Sequence, residues 1–179
     1  MRRILLSAIA TLVAVPFAVA HPGHHFNLKS ATPKTLASLP AMGTKGTVSA
    51  DKKTLTFTGK AIRLIVTTGP EKDMLSYRIQ GLRNPTLVIP RGATLNVLFV
   101  NSDDDMKHNF RFADDQPPFA AKPTLKNSAG SHDLAPGKET SRHAEALVVV
   151  GPTEAGKFSY VCTVPGHAAG GMYGLVVVR

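Results

Sequence analysis

Tryptophan is absent from this 179-residue chain and cysteine occurs once, at position 162. A single thiol excludes an internal disulfide framework, which needs cysteines in pairs. The basic residues are scattered instead of running together with aromatics, so no stacking platform for nucleic acid is present. No internal repeat or low-complexity tract occurs, and one domain accounts for the length. Only one stretch, Ile4 to Val19, is long and apolar enough to be weighed against a bilayer.

That stretch follows Met1-Arg2-Arg3 and ends at Ala18-Val19-Ala20, a small-residue pattern that a signal peptidase accepts. Pro16 within it and the polar His21-Pro22-Gly23-His24-His25 directly after it argue against a retained anchor. Residues 1–20 are therefore expected to be a signal peptide, and the protein is expected in the periplasm with no membrane span after cleavage. Cleavage leaves 159 residues and takes the formal net charge from +9 to +7, because Arg2 and Arg3 are lost. The remaining basic surface favours acidic partners. In an oxidising compartment a lone thiol invites unwanted pairing, so Cys162 is best explained if something occupies its sulfur.

Residues 21–50 are rich in proline, glycine, serine, threonine and alanine and read as an N-terminal extension with a His-rich start, lying on or beside the domain. Pro33 to Leu39, after Thr32 and before Pro40, is compatible with a helical turn. From residue 51 to 179 the pattern is that of one domain built from strands. Period-two alternation marks Thr54–Thr58 and Ile62–Val66. Further strands are expected at Leu75–Ile79, Thr86–Ile89, Thr94–Val100, Glu145–Val150, Lys157–Cys162 and Leu175–Val178, separated by turns such as Pro90-Arg91-Gly92 and Gly151-Pro152. Eight short strands with frequent turns predict an all-β fold, an antiparallel Greek-key β-sandwich. The longest irregular stretch runs from Ala113 to Lys138, and loops of that length in compact domains are functional or disordered.

The chemistry concentrates in Cys162-Thr163-Val164-Pro165-Gly166-His167-Ala168-Ala169-Gly170-Gly171-Met172, which sets a thiolate, an imidazole and a thioether at i, i+5 and i+10. Pro165, Gly166, Gly170 and Gly171 permit the turns that let such a loop curl its three donors onto one point. His108, beyond the strand Thr94–Val100, is the best fourth donor, because a neighbouring strand end can reach that loop. One cysteine, two histidines and a weak methionine make an electron-transfer copper site, whereas structural zinc takes four strong ligands. One copper per chain, cycling between Cu(I) and Cu(II), is the expected cofactor.

With Asn101, His108-Asn109-Phe110 and the C-x4-H-x4-M loop ending in Met172-Tyr173-Gly174, the chain resembles the cupredoxin (blue-copper, type 1) family over about residues 54–179. The loop spacing is most similar to its rusticyanin-like and sulfocyanin-like periplasmic members. The resemblance implies a single β-sandwich domain with His108, Cys162 and His167 as equatorial ligands and Met172 as axial ligand. It also implies single-electron transport in a respiratory chain near a c-type cytochrome or terminal oxidase, as a monomer or a subunit of a larger complex.

Simpler explanations exist for each residue. Cys162 and Met172 could fill core, His167 could be an exposed loop histidine, and His132 and His143 compete with His108 but read as surface residues. Asn109 could be an ordinary turn amide or could bond across to the Cys162 loop and fix its geometry. Phe110, Phe112, Phe158 and Tyr160 read as core. Pro165, Gly166, Ala168, Ala169 and Gly170 read as an apolar patch around a surface-near His167. An amino-terminal His21 with His24 or His25 could chelate a second, labile metal, although a polar tail explains them as well. The alternative to an electron carrier is copper storage or delivery, or an accessory protein of an oxidase complex. Enzymatic turnover is not expected: the histidine pairs of an oxygen-reducing copper cluster and the second cysteine of a binuclear site are missing, and no oxyanion arrangement accompanies Cys162 and His167.

Overall fold

The computed structural model describes residues 25–29, 43–138 and 142–179. The predicted signal peptide, His21, His24 and the helical turn expected over residues 33–39 lie outside the described residues. Within them the chain forms two β-sheets packed face to face.

In chain order the strands are β1 (Asn27–Lys29), β2 (Thr47–Val48), β3 (Thr54–Thr56), β4 (Ala61–Thr68), β5 (Tyr77–Ile79), β6 (Leu82–Arg83) and β7 (Thr86–Ile89). They continue with β8 (Thr94–Val100), β9 (Arg111–Ala113), β10 (Ser128–Gly130), β11 (Ala144–Val150), β12 (Gly156–Val161) and β13 (Tyr173–Val178). One sheet runs β1-β11-β8-β4-β5-β6 and the other β10-β9-β12-β13-β7-β3-β2. All eight strands expected from the sequence form, Thr86–Ile89 and Thr94–Val100 with the expected bounds and the other six with ends shifted by one or two residues. A single 3-10 turn spans Glu71–Asp73, and no helix among the described residues is long and apolar enough to cross a membrane.

The alternation read from the sequence is the alternation of burial. Ile62, Leu64 and Val66 of β4 and Leu95, Val97 and Phe99 of β8 point inward, while Arg63 and Asn96 between them do not. Between the sheets lies a core of aliphatic side chains and a connected set of aromatic rings, Tyr77, Phe99, Phe110, Phe112 and Tyr160, with centroids 5.1–6.2 Å apart in successive contacts.

Three features differ from the sequence expectation. The sandwich is mixed and not purely antiparallel: β4 pairs parallel with β8, and β7 lies parallel to both β3 and β13. The chain crosses between sheets at β3 to β4, β6 to β7 and β7 to β8, so strands that become neighbours after a crossover can run the same way. The segment from Ala113 to Lys138 is not wholly irregular, because β10 pairs with β9 and Leu134 bridges His108. Its outer part also packs: Phe119 and Leu125 with Tyr173 cover buried Ala113, Val161 and Ala168. Residues before 51 contribute structure as well. β1 pairs with β11, and Phe26 is buried, stacked on Phe112 at 4.6 Å and edge-on to Phe158 at 5.4 Å.

Candidate metal centre

Two antiparallel pairings bring the candidate donors to one end of the sandwich. In the hairpin of β12 and β13, Val161 pairs with Tyr173, so Cys162 and Met172 face each other at the base of the connecting loop, where the Cys162 N–H donates to the Met172 carbonyl at 3.1 Å. On the other side of β12, Val161 pairs with Arg111 of β9, which puts the residues before Arg111 beside those after Val161. His108 thereby arrives next to Cys162 although 54 positions separate them.

The loop itself is wound by successive turns: His167 N–H to Val164 O, Gly170 N–H to Gly166 O, and Met172 N–H to His167 O, at 2.9–3.1 Å. Gly166 and Gly171 occupy positive φ (88° and 102°), a region that other residues avoid. The Gly166 N–H also donates to the carbonyl of Ala121, tying the loop to the proline-rich segment.

All four predicted donors converge. His167 Nδ1 lies 3.1 Å from His108 Nδ1 and 3.5 Å from Cys162 Sγ, and His108 Nδ1 lies 3.1 Å from Met172 Sδ. The side chains of His108, Cys162 and His167 are the only buried group of three metal-capable residues among the described residues. A first-row ion with bonds of roughly 2.0–2.3 Å holds tetrahedral donors about 3.3–3.8 Å apart, within a few tenths of an ångström of these separations. Cys162, His108 and Met172 are fully buried and His167 is 7% exposed, so the donors are shielded from solvent. The donor set of two imidazoles, one thiol and one thioether fits copper.

Burial governs the protonation of these groups. It pushes the Cys162 thiol above its ordinary range, despite lowering contributions from the backbone of Asn109 and Val164. It pushes the His108 imidazole down, against the opposing pull of Asp103, and it pushes His167 down together with the neighbouring His108. Both rings are thus neutral at pH 7, as ligands must be.

Asn109 spans the two ligand segments. Its Oδ1 accepts from the Thr163 N–H at 2.9 Å, and its Nδ2 donates to Thr163 Oγ1 at 2.8 Å and to Asp133 Oδ1 at 2.7 Å. The bond from the Asn109 side chain to the Cys162 loop, one of the two readings its sequence allowed, is therefore present. The buried Tyr77 hydroxyl holds the same residue by donating to its carbonyl at 2.5 Å. Tyr77 and Thr163 carried no sequence signal, since each lies in an unremarkable local context and acquires its role only through the sheet pairing. Asp103, whose Oδ2 is 3.0 Å from His108 Nε2, was likewise missed.

The competitors stand apart. His132 is exposed and bonds to Glu145, and His143 is exposed. Phe110, Phe112, Phe158 and Tyr160 are core as expected. The surface around His167 is made by Pro165, Gly166, Ala169 and Gly170. Ala168 is a correction to the expected patch: it is buried under Phe119 and Leu125. His25, the one tail histidine within the described residues, is hydrogen-bonded through Nδ1 to Asp114 Oδ2.

Against known proteins, residues 44–179 match the model of copper binding proteins of the plastocyanin/azurin family. The chain is similar to rusticyanin of Acidithiobacillus ferrooxidans, with 34% identity over 146 residues that cover 81% of this chain and 94% of the relative. It is also similar to sulfocyanin of Sulfolobus acidocaldarius, with 28% identity over 66% of this chain and 63% of that protein. A solved structure of rusticyanin from Thiobacillus ferrooxidans superposes with a TM-score of 0.69 at 30% identity, covering 87% of this chain and 98% of the other.

Proposed function

The chain belongs to the plastocyanin/azurin family of copper binding proteins, the cupredoxins, and on that premise we propose that it is a single-electron carrier whose one copper ion is held by His108, Cys162, His167 and Met172. The observation that carries the reading is the meeting of one thiol, two imidazole nitrogens and one thioether at a single buried point. Copper bound to such a set supplies a Cu(I)/Cu(II) couple.

The protein supplies a site formed in advance. Neutral His108 and His167 present their Nδ1 atoms without first losing protons, and Cys162 releases its proton as metal enters. Asn109 locks the His108 segment to the Cys162 loop, so the donors shift little between oxidation states and transfer needs little rearrangement. His167, the one donor with any exposure, lies beneath the uncharged surface of Pro165, Gly166, Ala169 and Gly170 and would be the route by which electrons reach a bound copper. The burial of the donor set supports the carrier reading.

Residues 1–20 direct export and are removed, and residues 21–50 form an extension whose β1, β2 and Phe26 join the copper domain of residues 51–179. The protein works in the periplasm within a respiratory chain and exchanges electrons with a c-type cytochrome or terminal oxidase. The excess of basic residues orients an acidic partner. The test is the visible spectrum after Cu(II) is added to the wild type and to Cys162→Ser. An intense sulfur-to-copper charge-transfer band is expected in the wild type and not in the variant, and its absence from the wild type would overturn the reading.

A further inference from the structure

Behind His108, on the side away from the three other donors, stands a carboxylate that the ligand set does not include. Asp103 Oδ2 is 3.0 Å from His108 Nε2, and the two side chains are 1% and 0% exposed. The other oxygen, Oδ1, accepts the backbone N–H groups of Asp105 at 2.8 Å and Met106 at 3.0 Å. The Asp103 N–H donates to Asn101 Oδ1 at 3.0 Å, and the two N–H groups of Asn101 Nδ2 are shared among the carbonyls of Met106, Leu134 and Ala135 at 2.9–3.0 Å. The turn carrying Asp103 is thus fixed from both sides, and Leu134 pairs with His108 itself.

The hydrogen-bond roles follow from this arrangement. Two backbone amides, which can only donate, aim at Oδ1 of the Asp103 carboxylate, which suits an ionised, acceptor-only group whose Oδ2 is left to accept from the ring. The His108 ring then turns an Nε2–H toward Oδ2, which leaves Nδ1 as the ring nitrogen able to bind a metal. Nδ1 is the atom that faces His167 Nδ1 and Met172 Sδ.

Resting on the copper reading above, we propose that Asp103 is a positioning residue that fixes the tautomer and orientation of His108. Through an ionic hydrogen bond it also makes Nδ1 a stronger donor, so that the site holds Cu(II) more firmly relative to Cu(I). A carboxylate behind a metal-bound histidine raises the basicity of the ring, and a buried negative charge favours the more positive metal state. An amide in the same place keeps the shape but gives up the charge.

Two measurements test this. In the metal-free wild type, histidine 15N chemical shifts should report His108 as the Nε2–H tautomer at pH 7, and an Nδ1–H tautomer would overturn the proposal without reference to copper. In copper-loaded Asp103→Asn, the ratio of Cu(II) to Cu(I) affinity should fall at least tenfold, read as a rise in reduction potential of about 59 mV or more. A variant that loses both oxidation states of copper faster but keeps its potential within a twofold affinity ratio would show a merely structural role and overturn it. Absence of the charge-transfer band from the wild type would instead remove the copper reading. The nitrogen shifts would still decide the positioning role, and they require no variant to fold.

Discussion

The strap formed by Asn109 lends itself to a quantitative test by Asn109→Ala. The side chain is 2% exposed and makes three hydrogen bonds. Their loss is unequal. Asp133 is partly exposed and keeps its ion pair with Lys107 at 2.9 Å, so water and lysine satisfy it. Thr163 Oγ1 can turn to another partner. The Thr163 N–H, pinned in a loop whose backbone is fixed on both sides, has no such freedom, and a donor left without an acceptor costs about 1–3 kcal/mol. With the small void left by the truncated amide, the whole effect is about 2–3 kcal/mol. Thermal unfolding of the metal-free protein should then fall by about 4–12 °C, at roughly 2–4 °C per kcal/mol for a chain of this size. Because the strap joins the two segments that bring His108 and Cys162 together, about half of that energy should appear as weaker retention of copper. That makes release to a chelator about tenfold faster. A variant whose stability changes by less than about 0.5 kcal/mol and whose copper leaves at the wild-type rate would refute the argument that Asn109 couples the two segments.

Phe26 tests whether the chain before residue 51 belongs to the core. Its ring is buried between Phe112 and Phe158, so Phe26→Ala should cost about 3 kcal/mol in chemical denaturation, whereas an independent tail would lose nothing measurable. The pH dependence of stability has a definite sign. His108 and His167 titrate lower folded than unfolded, so the unfolded chain binds more protons below about pH 6.5, and the metal-free protein should lose stability as pH falls through that range. Cys162 titrates higher folded than unfolded, so stability should also decline above about pH 8.5, and the melting temperature should peak between the two values. A melting temperature that rises from pH 6.5 to pH 5 would contradict the burial of the two imidazoles as neutral rings.

Local pattern was enough for much of this protein. Alternating runs such as Ile62–Val66 and Thr94–Val100 identify their strands because a sheet buried on one face demands period two. The loop from Cys162 to Met172 announces its metal because a thiol, an imidazole and a thioether in one glycine-containing turn have few other reasons to occur together. Short strands without alternation were not legible. Arg111–Ala113 and Ser128–Gly130 are three residues each, too brief to carry a period; the second pairs with β9, and β9 itself forms because β12 offers an edge to pair with. The fourth donor depends on that edge. Sequence made His108 a candidate, but only the pairing of β9 with β12 sets it beside Cys162, and only the folded turn from Asn101 to Met106 puts the carboxylate of Asp103 behind its ring. Donor identity is a property of residue type and near spacing, which the chain carries in one dimension. Donor convergence and hydrogen-bond partners depend on which strand ends become neighbours, and that is settled by long-range packing of the two sheets.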